Sequence, residues 1–279
     1  MDNLRRYYES QLSGLYTRSE IAALFRTFAS ELTGMPPSAT YFCKDSDFSS
    51  KQFTDMQTIA QKLAQGQPYQ QILGWCDNGG RRWLVNADVL IPRPETAELI
   101  ERIGASGLEP ASILDLCTGS GFIAVSLALR YPKARVDAVD LSEAALQVAR
   151  NNAGKHQADV EFWTDDVLHP SDRLTGNAYD LIVSNPPYVC DSEKAGMQPQ
   201  VYAYEPAMAL FVPDDDPLRF YRHIARFGRS HLKPGGRVYV EINETLPDLT
   251  RQVFLDNGFS DVRLRRDING KWRMLRAGL

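Results

Sequence analysis

The tetrapeptide Asn185-Pro186-Pro187-Tyr188 has the residue types needed to hold a flat amino group. It follows an apolar segment, Tyr179–Ser184, that is typical of a buried strand. The side-chain oxygen of Asn185 can accept one N–H bond and the carbonyl of Pro186 the other, while Tyr188 can pack on the flat group. Such a clamp would align a weakly nucleophilic nitrogen with an electrophile and stabilise the positive charge that develops on it. The structural alternative is a Pro-Pro turn that Asn185 begins.

A second candidate is the small-residue turn Cys117-Thr118-Gly119-Ser120-Gly121, which lies between a predicted strand and a predicted helix. Glycines in such a turn let a ligand approach the backbone closely. Asp140 ends the next predicted strand, where its carboxylate can accept hydrogen bonds from two ribose hydroxyls. These features predict a nucleoside site, although a strand-turn-helix connection needs glycine in any case.

The turn allows two interpretations of its ligand. Gly119-x-Gly121-x-x-Ala124 with Asp140 resembles a dinucleotide fingerprint. Asp115 followed by the turn instead resembles the first motif of S-adenosylmethionine methyltransferases. A charged residue inside the strand end favours the methyltransferase interpretation, because a cationic sulfonium tolerates acidic neighbours and needs no phosphate cradle.

Alternating elements must position these residues. From about residue 112, apolar strands alternate with helices, which predicts an α/β fold with a mostly parallel, Rossmann-like sheet. The predicted strands are 112–116, 134–140, 160–163, 179–184 and 237–242, with an antiparallel edge hairpin near 262–265 and 272–275, and the predicted helices are 121–130, 142–153, 217–232 and 246–257. Because the carboxyl ends of parallel strands open onto one crevice, we expect the tetrapeptide, the turn and Asp140 to meet there.

The first 75 residues have a different, helical texture. Ile21, Leu24, Phe25, Phe28 and Leu32 fall on one helix face, with a capping box at Thr17 and Glu20 and a stop at Gly34. A second stripe runs from Phe53 to Leu63. We therefore expect a small helical domain at 1–75, a linker at 76–95 in which Arg82–Val85 pairs with Val89–Ile91 as a hairpin, and a catalytic domain at 96–279.

Composition excludes several classes of protein. The 279 residues are 43% hydrophobic and 24% charged, which is typical of a globular chain. With 31 Lys and Arg against 35 Asp and Glu, the net charge of −4 argues against binding nucleic acid mainly through phosphates. The cysteines and histidines are scattered along the chain, which predicts reduced thiols and no metal site. The lack of long apolar runs predicts a cytoplasmic protein without a membrane segment. We expect the protein to be a monomer.

With the clamp, the turn and Asp140 in order, the sequence resembles the bacterial peptide chain release factor N5-glutamine methyltransferases, the PrmC/HemK family. The resemblance covers nearly the whole chain, and generic methyltransferases lack its most diagnostic segment, Leu90–Thr96. Its other segments are Pro68–Gly74, Asp115–Ala124, Asp140, Asn185–Tyr188, Tyr204–Pro206, Phe220-Tyr221, Pro234–Gly236 and Gly258-Phe259.

The resemblance implies N5-methylation of the glutamine in the Gly-Gly-Gln loop of class 1 release factors, with S-adenosylmethionine as methyl donor. It implies a small N-terminal helical domain that helps to hold the factor, and a Rossmann-like S-adenosylmethionine methyltransferase sheet. Carried over by position, the cofactor contacts are Asp115, Cys117, Thr118, Gly119, Ser120, Gly121, Asp140, Asp166, Val167 and Asn185, and the glutamine meets Asn185, Pro186, Pro187 and Tyr188.

Two positions of the cofactor site depart from the family pattern, and the segment Gly79–Trp83 departs from the usual hairpin sequence. Cys117 stands where glycine is usual, so the turn must tolerate a Cβ. Val167 stands where an aromatic residue is frequent, which leaves less stacking area for an adenine.

Glu241, at a predicted strand end, is expected to be a structural hydrogen-bonding residue and not a base.

Three rival functions remain open at this stage. A methyltransferase of this kind could act on another protein's glutamine, or on amino groups of adenine or cytosine in nucleic acid, since the same clamp serves each acceptor. A dinucleotide-dependent oxidoreductase would leave Asn185–Tyr188 without an evident role. A non-enzymatic cofactor-binding adaptor would be expected to lose Asn185 or Asp140, and both are present.

Overall fold

The computed structural model describes residues 3–279. The helices are α1 Asn3–Leu12, α2 Arg18–Thr33, α3 Ser50–Ala64, α4 Tyr69–Leu73, α5 Pro94–Gly104, α6 Phe122–Arg130, α7 Glu143–His156, α8 Asp172–Thr175, α9 Pro199–Tyr204, α10 Ala207–Leu210, α11 Arg219–His231 and α12 Pro247–Asp256. The strands are β1 Trp75–Asn78, β2 Arg81–Leu84, β3 Ser112–Leu116, β4 Arg135–Asp140, β5 Glu161–Thr164, β6 Tyr179–Ser184, β7 Val189–Cys190, β8 Phe211–Val212, β9 Leu232–Glu241, β10 Asp261–Arg266 and β11 Trp272–Gly278.

The chain divides into two compact units. The part up to Gly74, together with Pro199–Tyr204, forms a helical unit, and Trp75–Gln198 with Glu205–Leu279 forms the second unit. In the helical unit, α1, α2 and α3 bury one apolar core, in which the rings of Tyr8 and Phe25 meet edge to face with centroids 5.2 Å apart. Thr17 and Glu20 form the predicted capping box of α2, and Gly34 ends that helix at φ 74°.

The hairpin at the start of the second unit differs from the prediction. Trp75–Asn78 pairs with Arg81–Leu84 in antiparallel register, whereas residues 89–91 form no strand, so the predicted pairing was wrong. Gly79 and Gly80 have φ values of 55° and 73°, which is the two-residue turn that joins the strands immediately on either side. The turn therefore selects Trp75–Asn78 as the partner strand.

A seven-stranded sheet forms the body of the second unit, in the order β10-β11-β9-β6-β3-β4-β5. Strands β5, β4, β3, β6 and β9 are parallel, and β11 and β10 complete the sheet as the predicted antiparallel edge hairpin. The chain order reverses at β3, which makes the carboxyl end of β3 the topological switch point where ligands bind in such folds. The predicted α/β class is confirmed.

Strand β3 is buried along its whole length because both faces of the sheet are covered. Ile113 lies in a core with α5 and α6, and Leu114 and Leu116 lie in a second core with α11 and α12. This explains the continuous apolar runs that predicted the parallel strands. The short parallel pair of β7 and β8 was not predicted. Within residues 3–279, no helix is long and apolar enough to cross a bilayer.

Candidate active site

A cavity of about 360 Å³ lies at the carboxyl ends of the central strands, entirely within the second unit. Its size is at the low end of the range usual for small-molecule sites. Of the predicted site residues, it is lined by Cys117, Thr118, Gly119, Ser120, Asp140, Asp166, Val167, Asn185 and Pro187. The structure therefore brings the glycine turn, the second-strand acid and the tetrapeptide to one place, as the sequence predicted.

The turn and the tetrapeptide are held side by side. Leu116 of β3 and Ser184 of β6 are register partners, and the Ser184 hydroxyl donates to the Leu116 carbonyl at 2.7 Å. The next residue along each strand is Cys117 in one case and Asn185 in the other. The pairing of β3 with β6, which this bond extends at the strand ends, thus sets the spacing between the two motifs.

The glycine turn uses left-handed backbone at three of its five positions. Cys117, Gly119 and Gly121 have φ values of 61°, 54° and 78°. A Cβ at Gly121 would lie 2.9 Å from the Cβ of Ala149 on α7, so this position needs glycine for close helix packing as well as for its φ. Cys117 does carry a Cβ in a region that favours glycine, which is the strain expected from the sequence. Burial raises the pKa of its thiol well above the usual value.

Asp115 lies beneath the turn and is fully buried. Its Oδ2 accepts hydrogen bonds from the Thr118 hydroxyl at 2.6 Å and from the Ala124 backbone N–H at 3.1 Å, which ties β3 to the turn and to α6. Its Oδ1 has no hydrogen-bond partner among residues 3–279. Burial is the main cause that raises the Asp115 pKa to about 7, and the charge of Asp140 adds to it.

Asp140 closes the turn from the neighbouring strand. Its carboxylate accepts from the Gly119 N–H at 2.8 Å and from the Ser142 N–H at 2.9 Å. A turn built for a pyrophosphate presents its N–H groups to the ligand, whereas here Gly119 gives its N–H to a carboxylate. This arrangement disfavours the dinucleotide interpretation. Burial raises the Asp140 pKa, and the two backbone N–H donors act in the opposite direction.

Asp166 and Val167, in the loop after β5, line the cavity. Asp166 accepts from the Leu168 N–H at 2.8 Å and meets the His169 Nδ1 at 3.1 Å, and Val167 is buried. The preceding residue, Asp165, accepts from the Trp163 indole and from the Ser171 hydroxyl, so it stabilises the loop. The aliphatic side chain of Val167 provides an apolar surface of the kind that a flat aromatic base covers.

The tetrapeptide is anchored through its polar atoms. Asn185 donates from Nδ2 to the Thr96 hydroxyl at 3.3 Å, and the Tyr188 hydroxyl donates to Glu241 at 2.8 Å. Asn243 donates to the Tyr188 carbonyl at 2.9 Å. Pro186 is buried and Tyr188 is half-buried, and neither lines the cavity. Glu241 also accepts from Thr96 at 2.7 Å, which agrees with its predicted role as a hydrogen-bonding residue.

Sequence reasoning found the segment Leu90–Thr96 only through resemblance and gave it no chemistry. In the structure, Glu205 accepts from the Ile91 N–H at 2.9 Å and forms an ion pair with Arg93, while Thr96 reaches the tetrapeptide. Glu205 is buried. Its partners lie more than a hundred residues away in sequence, which is why no local pattern revealed them.

The chain is similar along its whole length to bacterial proteins named release factor glutamine methyltransferase. The protein from Bacteroides thetaiotaomicron is 42% identical over 278 residues, which is 99% of this chain and 99% of that protein. The protein from Flavobacterium psychrophilum is 35% identical over 280 residues, 99% of this chain and 98% of that protein. A family model described as the methyltransferase small domain matches residues 95–200.

Solved structures share the fold at low sequence identity. A methyltransferase from Pyrococcus furiosus has a TM-score of 0.52 and 18% identity, with 70% of this chain and 87% of that chain covered. The T. thermophilus 16S rRNA N2 G1207 methyltransferase, solved in complex with AdoMet and guanosine, has a TM-score of 0.51 and 19% identity, with 73% and 49% covered. These likenesses show that the chain has the Rossmann-like fold of those structures.

Proposed function

Since the chain belongs to the release factor glutamine methyltransferase family, it transfers a methyl group from S-adenosylmethionine to a release factor glutamine, and we propose that the acceptor is N5 of the Gly-Gly-Gln motif in class 1 factors. The observation that carries this proposal is the register of β3 and β6, which sets Asn185 beside the glycine turn in one cavity. An acceptor nitrogen held at Asn185 therefore lies next to a nucleoside held at the turn.

The cavity residues fit the cofactor. S-adenosylmethionine supplies a methyl group on a positively charged sulfur. Asp140 retains lone pairs beyond its two backbone donors and can accept the ribose hydroxyls. Asp115 lies just beneath the turn, and a cationic ligand bound above it would favour the ionised form of this carboxyl. Val167 offers the apolar surface for the adenine, and Asp166 lies beside it.

Asn185 and Pro186 hold the acceptor. A glutamine amide nitrogen is a weak nucleophile because its lone pair is delocalised into the carbonyl. We propose that the Asn185 Oδ1 and the Pro186 carbonyl each accept one of its N–H bonds, which aims the nitrogen at the methyl group and stabilises the charge that it gains. Pro187 lines the cavity beside Asn185, whereas Tyr188 lies behind the lining, where its hydroxyl donates to Glu241.

Proton removal needs no dedicated base, because the methylated nitrogen is strongly acidic until it loses a proton. A buried carboxylate, Glu241, is bonded to the tetrapeptide, and both of its oxygens are occupied by the hydroxyls of Thr96 and Tyr188. Glu241 therefore holds other side chains in place and does not take the proton. The proton can leave to solvent through the open side of the cavity.

We also propose that the helical unit helps to hold the release factor. Its surface exposes two adjacent aromatic side chains, Phe42 at 85% and Tyr41 at 60%, which a protein partner could cover. Phe42→Ala should raise the KM for the release factor and leave the affinity for S-adenosylmethionine unchanged.

We expect the enzyme to act as a monomer in the cytoplasm, where its substrate is found, without contacting nucleic acid.

Methyl transfer to defined acceptors tests the function. The full-length protein is incubated with S-adenosylmethionine carrying a labelled methyl group and with a class 1 release factor, the same factor with its motif glutamine replaced by alanine, or an oligonucleotide duplex. We expect label only in the unaltered factor. Label in the oligonucleotide and not in the factor would overturn the proposal, and equal label in both factors would place the acceptor elsewhere.

A further inference from the structure

Three hydrogen bonds connect Asn185 and Tyr188 of the tetrapeptide with the buried residues Thr96 and Glu241. The Asn185 Nδ2 donates to the Thr96 Oγ1 at 3.3 Å, and this hydroxyl in turn donates to the Glu241 Oε2 at 2.7 Å. The other carboxylate oxygen, Oε1, accepts from the Tyr188 hydroxyl at 2.8 Å. Thr96 and Glu241 are only 4% and 2% exposed, so solvent does not compete for these bonds.

The direction of each bond follows from what the groups can do. An ionised carboxylate accepts hydrogen bonds and cannot donate them, so the Thr96 hydroxyl must donate its single hydrogen to Glu241. The Thr96 oxygen is then left only with lone pairs toward Asn185. Only the NH2 group of the Asn185 amide can meet a lone pair, so the amide is held with Nδ2 toward Thr96 and Oδ1 away from it.

This polarity matters because the two ends of the amide are nearly the same size. A reversed Asn185 would fit the same space but would offer NH2 donors to the N–H bonds of the acceptor. Such a pairing is repulsive, and the acceptor nitrogen would lose one of the two bonds that aim it. Shape alone therefore does not distinguish the productive amide from the unproductive one.

Opposing influences act on the Glu241 carboxyl, and its two hydrogen bonds set the geometry in which it accepts. Burial raises the Glu241 pKa and Glu95 adds to that rise, while the hydroxyls of Thr96 and Tyr188 and the positive charge of Arg273 oppose it. Arg273 is itself held by ion pairs with Glu244 and Asp267. Three stabilising partners thus converge on one buried carboxylate.

Resting on the proposed function, we infer that Thr96 and Glu241 are positioning residues that fix which end of the Asn185 amide faces the acceptor. This gives a role to the segment Leu90–Thr96, whose sequence pattern alone indicated none. Glu205 supports the same role from the other end of the segment, because it fixes Ile91 and Arg93 just before α5 begins and so places Thr96 on the first turn of that helix.

A matched pair of variants separates polarity from packing. Thr96→Val keeps the shape and removes the hydroxyl, whereas Thr96→Ser keeps the hydroxyl and removes a methyl group. We expect Thr96→Val to lower kcat for release factor methylation about tenfold or more, with the Kd for S-adenosylmethionine within about twofold of wild type. Thr96→Ser should retain most of kcat.

Glu241→Gln should also lower kcat. The NH2 group of the new glutamine can donate to the Thr96 oxygen, and the Thr96 hydroxyl is then free to donate to Asn185.

The kinetic result can contradict the inference in two ways. Equal kcat values for Thr96→Val and wild type would show that the amide needs no help to orient. Equal losses in Thr96→Val and Thr96→Ser would assign the effect to packing. Melting temperatures of all variants are measured so that the rates are compared well below unfolding.

A spectroscopic readout separates this inference from the proposed function. In the wild-type protein, the side-chain NH2 protons of Asn185, assigned by their absence in Asn185→Asp, should show a nuclear Overhauser effect to the Thr96 methyl group. If that signal is present but no release factor is methylated, the proposed function fails and the orientation stands. If methylation occurs and the signal is absent, the orientation fails alone.

Discussion

The two walls of the cavity are built differently, although they serve one reaction. On the wall formed by β3 and β4, the stabilising hydrogen bonds join residues that are close in sequence. Thr118 and Asp115 are three residues apart, and Gly119 and Asp140 are 21 residues apart. On the wall formed by the tetrapeptide, Asn185 reaches Thr96 across 89 residues and Thr96 reaches Glu241 across 145. One wall is a local motif, and the other is assembled from three distant segments.

The contrast separates binding from catalysis. The local wall presents a carboxylate and a bent backbone to a nucleoside, and much of that geometry is set once the strand-turn-helix has formed. The distant wall orients one amide, and its geometry depends on α5, β6 and β9 meeting correctly. Changes to the local wall should therefore alter cofactor affinity, and changes to the distant wall should alter the rate of transfer.

The largest effect is expected from Asn185→Ala. Removing one of the two acceptors that hold the nitrogen should lower kcat by about a thousandfold, which is the upper range for one preorganised group in a transition state. The Kd for S-adenosylmethionine, measured by calorimetry, should change less than about fivefold. A normal rate, or a loss explained by cofactor affinity alone, would remove the distinction between the two walls.

Asp140→Ala tests the opposite wall. We expect the Kd for S-adenosylmethionine to rise about a hundredfold, because two ribose hydrogen bonds to a charged group are lost. At saturating cofactor, kcat should remain within about threefold of wild type. Asp88→Ala, at an exposed carboxylate that also lines the cavity, is the matched control and should leave the Kd nearly unchanged. Similar effects of the two substitutions would indicate a general electrostatic role for acidic residues.

What could be predicted from the sequence follows the same division. The turn Cys117–Gly121, Asp140 and strand Tyr179–Ser184 were located from local residue patterns, because period, turn chemistry and strand ends are local properties. The partners of the clamp were not predicted, since nothing near Thr96 or Glu241 in sequence shows that they meet. The hairpin was mispaired for a related reason: Trp75–Asn78 has no alternating pattern, and its pairing comes from the turn at Gly79 and Gly80.

Asp115→Asn examines the buried charge beneath the local wall. Burial raises the Asp115 pKa from 3.8 to about 7, so in the protein without cofactor the folded state keeps a proton that the unfolded state has lost. The free energy of unfolding of the wild type should therefore fall as pH rises between about 4 and 7, by at most about 1.4 kcal/mol per pH unit from this group.

The asparagine variant lacks that ionisation. We expect its free energy of unfolding, relative to wild type, to improve by about 3 kcal/mol between pH 4 and pH 7, measured by urea denaturation at each pH. A fixed loss at pH 4 is allowed, because an NH2 group in the place of Oδ1 finds no acceptor. Parallel pH curves for the two proteins would show that Asp115 is ionised throughout, and the wall would then hold a full charge.

The smallest effect is expected from Cys117→Gly, which tests whether the local wall is strained. Cys117 has φ 61°, a conformation that costs a non-glycine residue about 1–2 kcal/mol. Glycine removes this cost but loses about 0.5–1 kcal/mol of stability through the greater freedom of the unfolded chain. The free energy of unfolding should therefore rise by less than about 1 kcal/mol.

Gln157→Gly is the matched control, since Gln157 is exposed, has φ 57° and ends α7 away from the cavity. Both substitutions should stabilise the protein slightly, and only Cys117→Gly should change the affinity for S-adenosylmethionine, because Cys117 lines the cavity. If Gln157→Gly stabilises the protein and Cys117→Gly destabilises it, the contacts of the half-buried Cys117 side chain contribute more stability than the strained backbone costs.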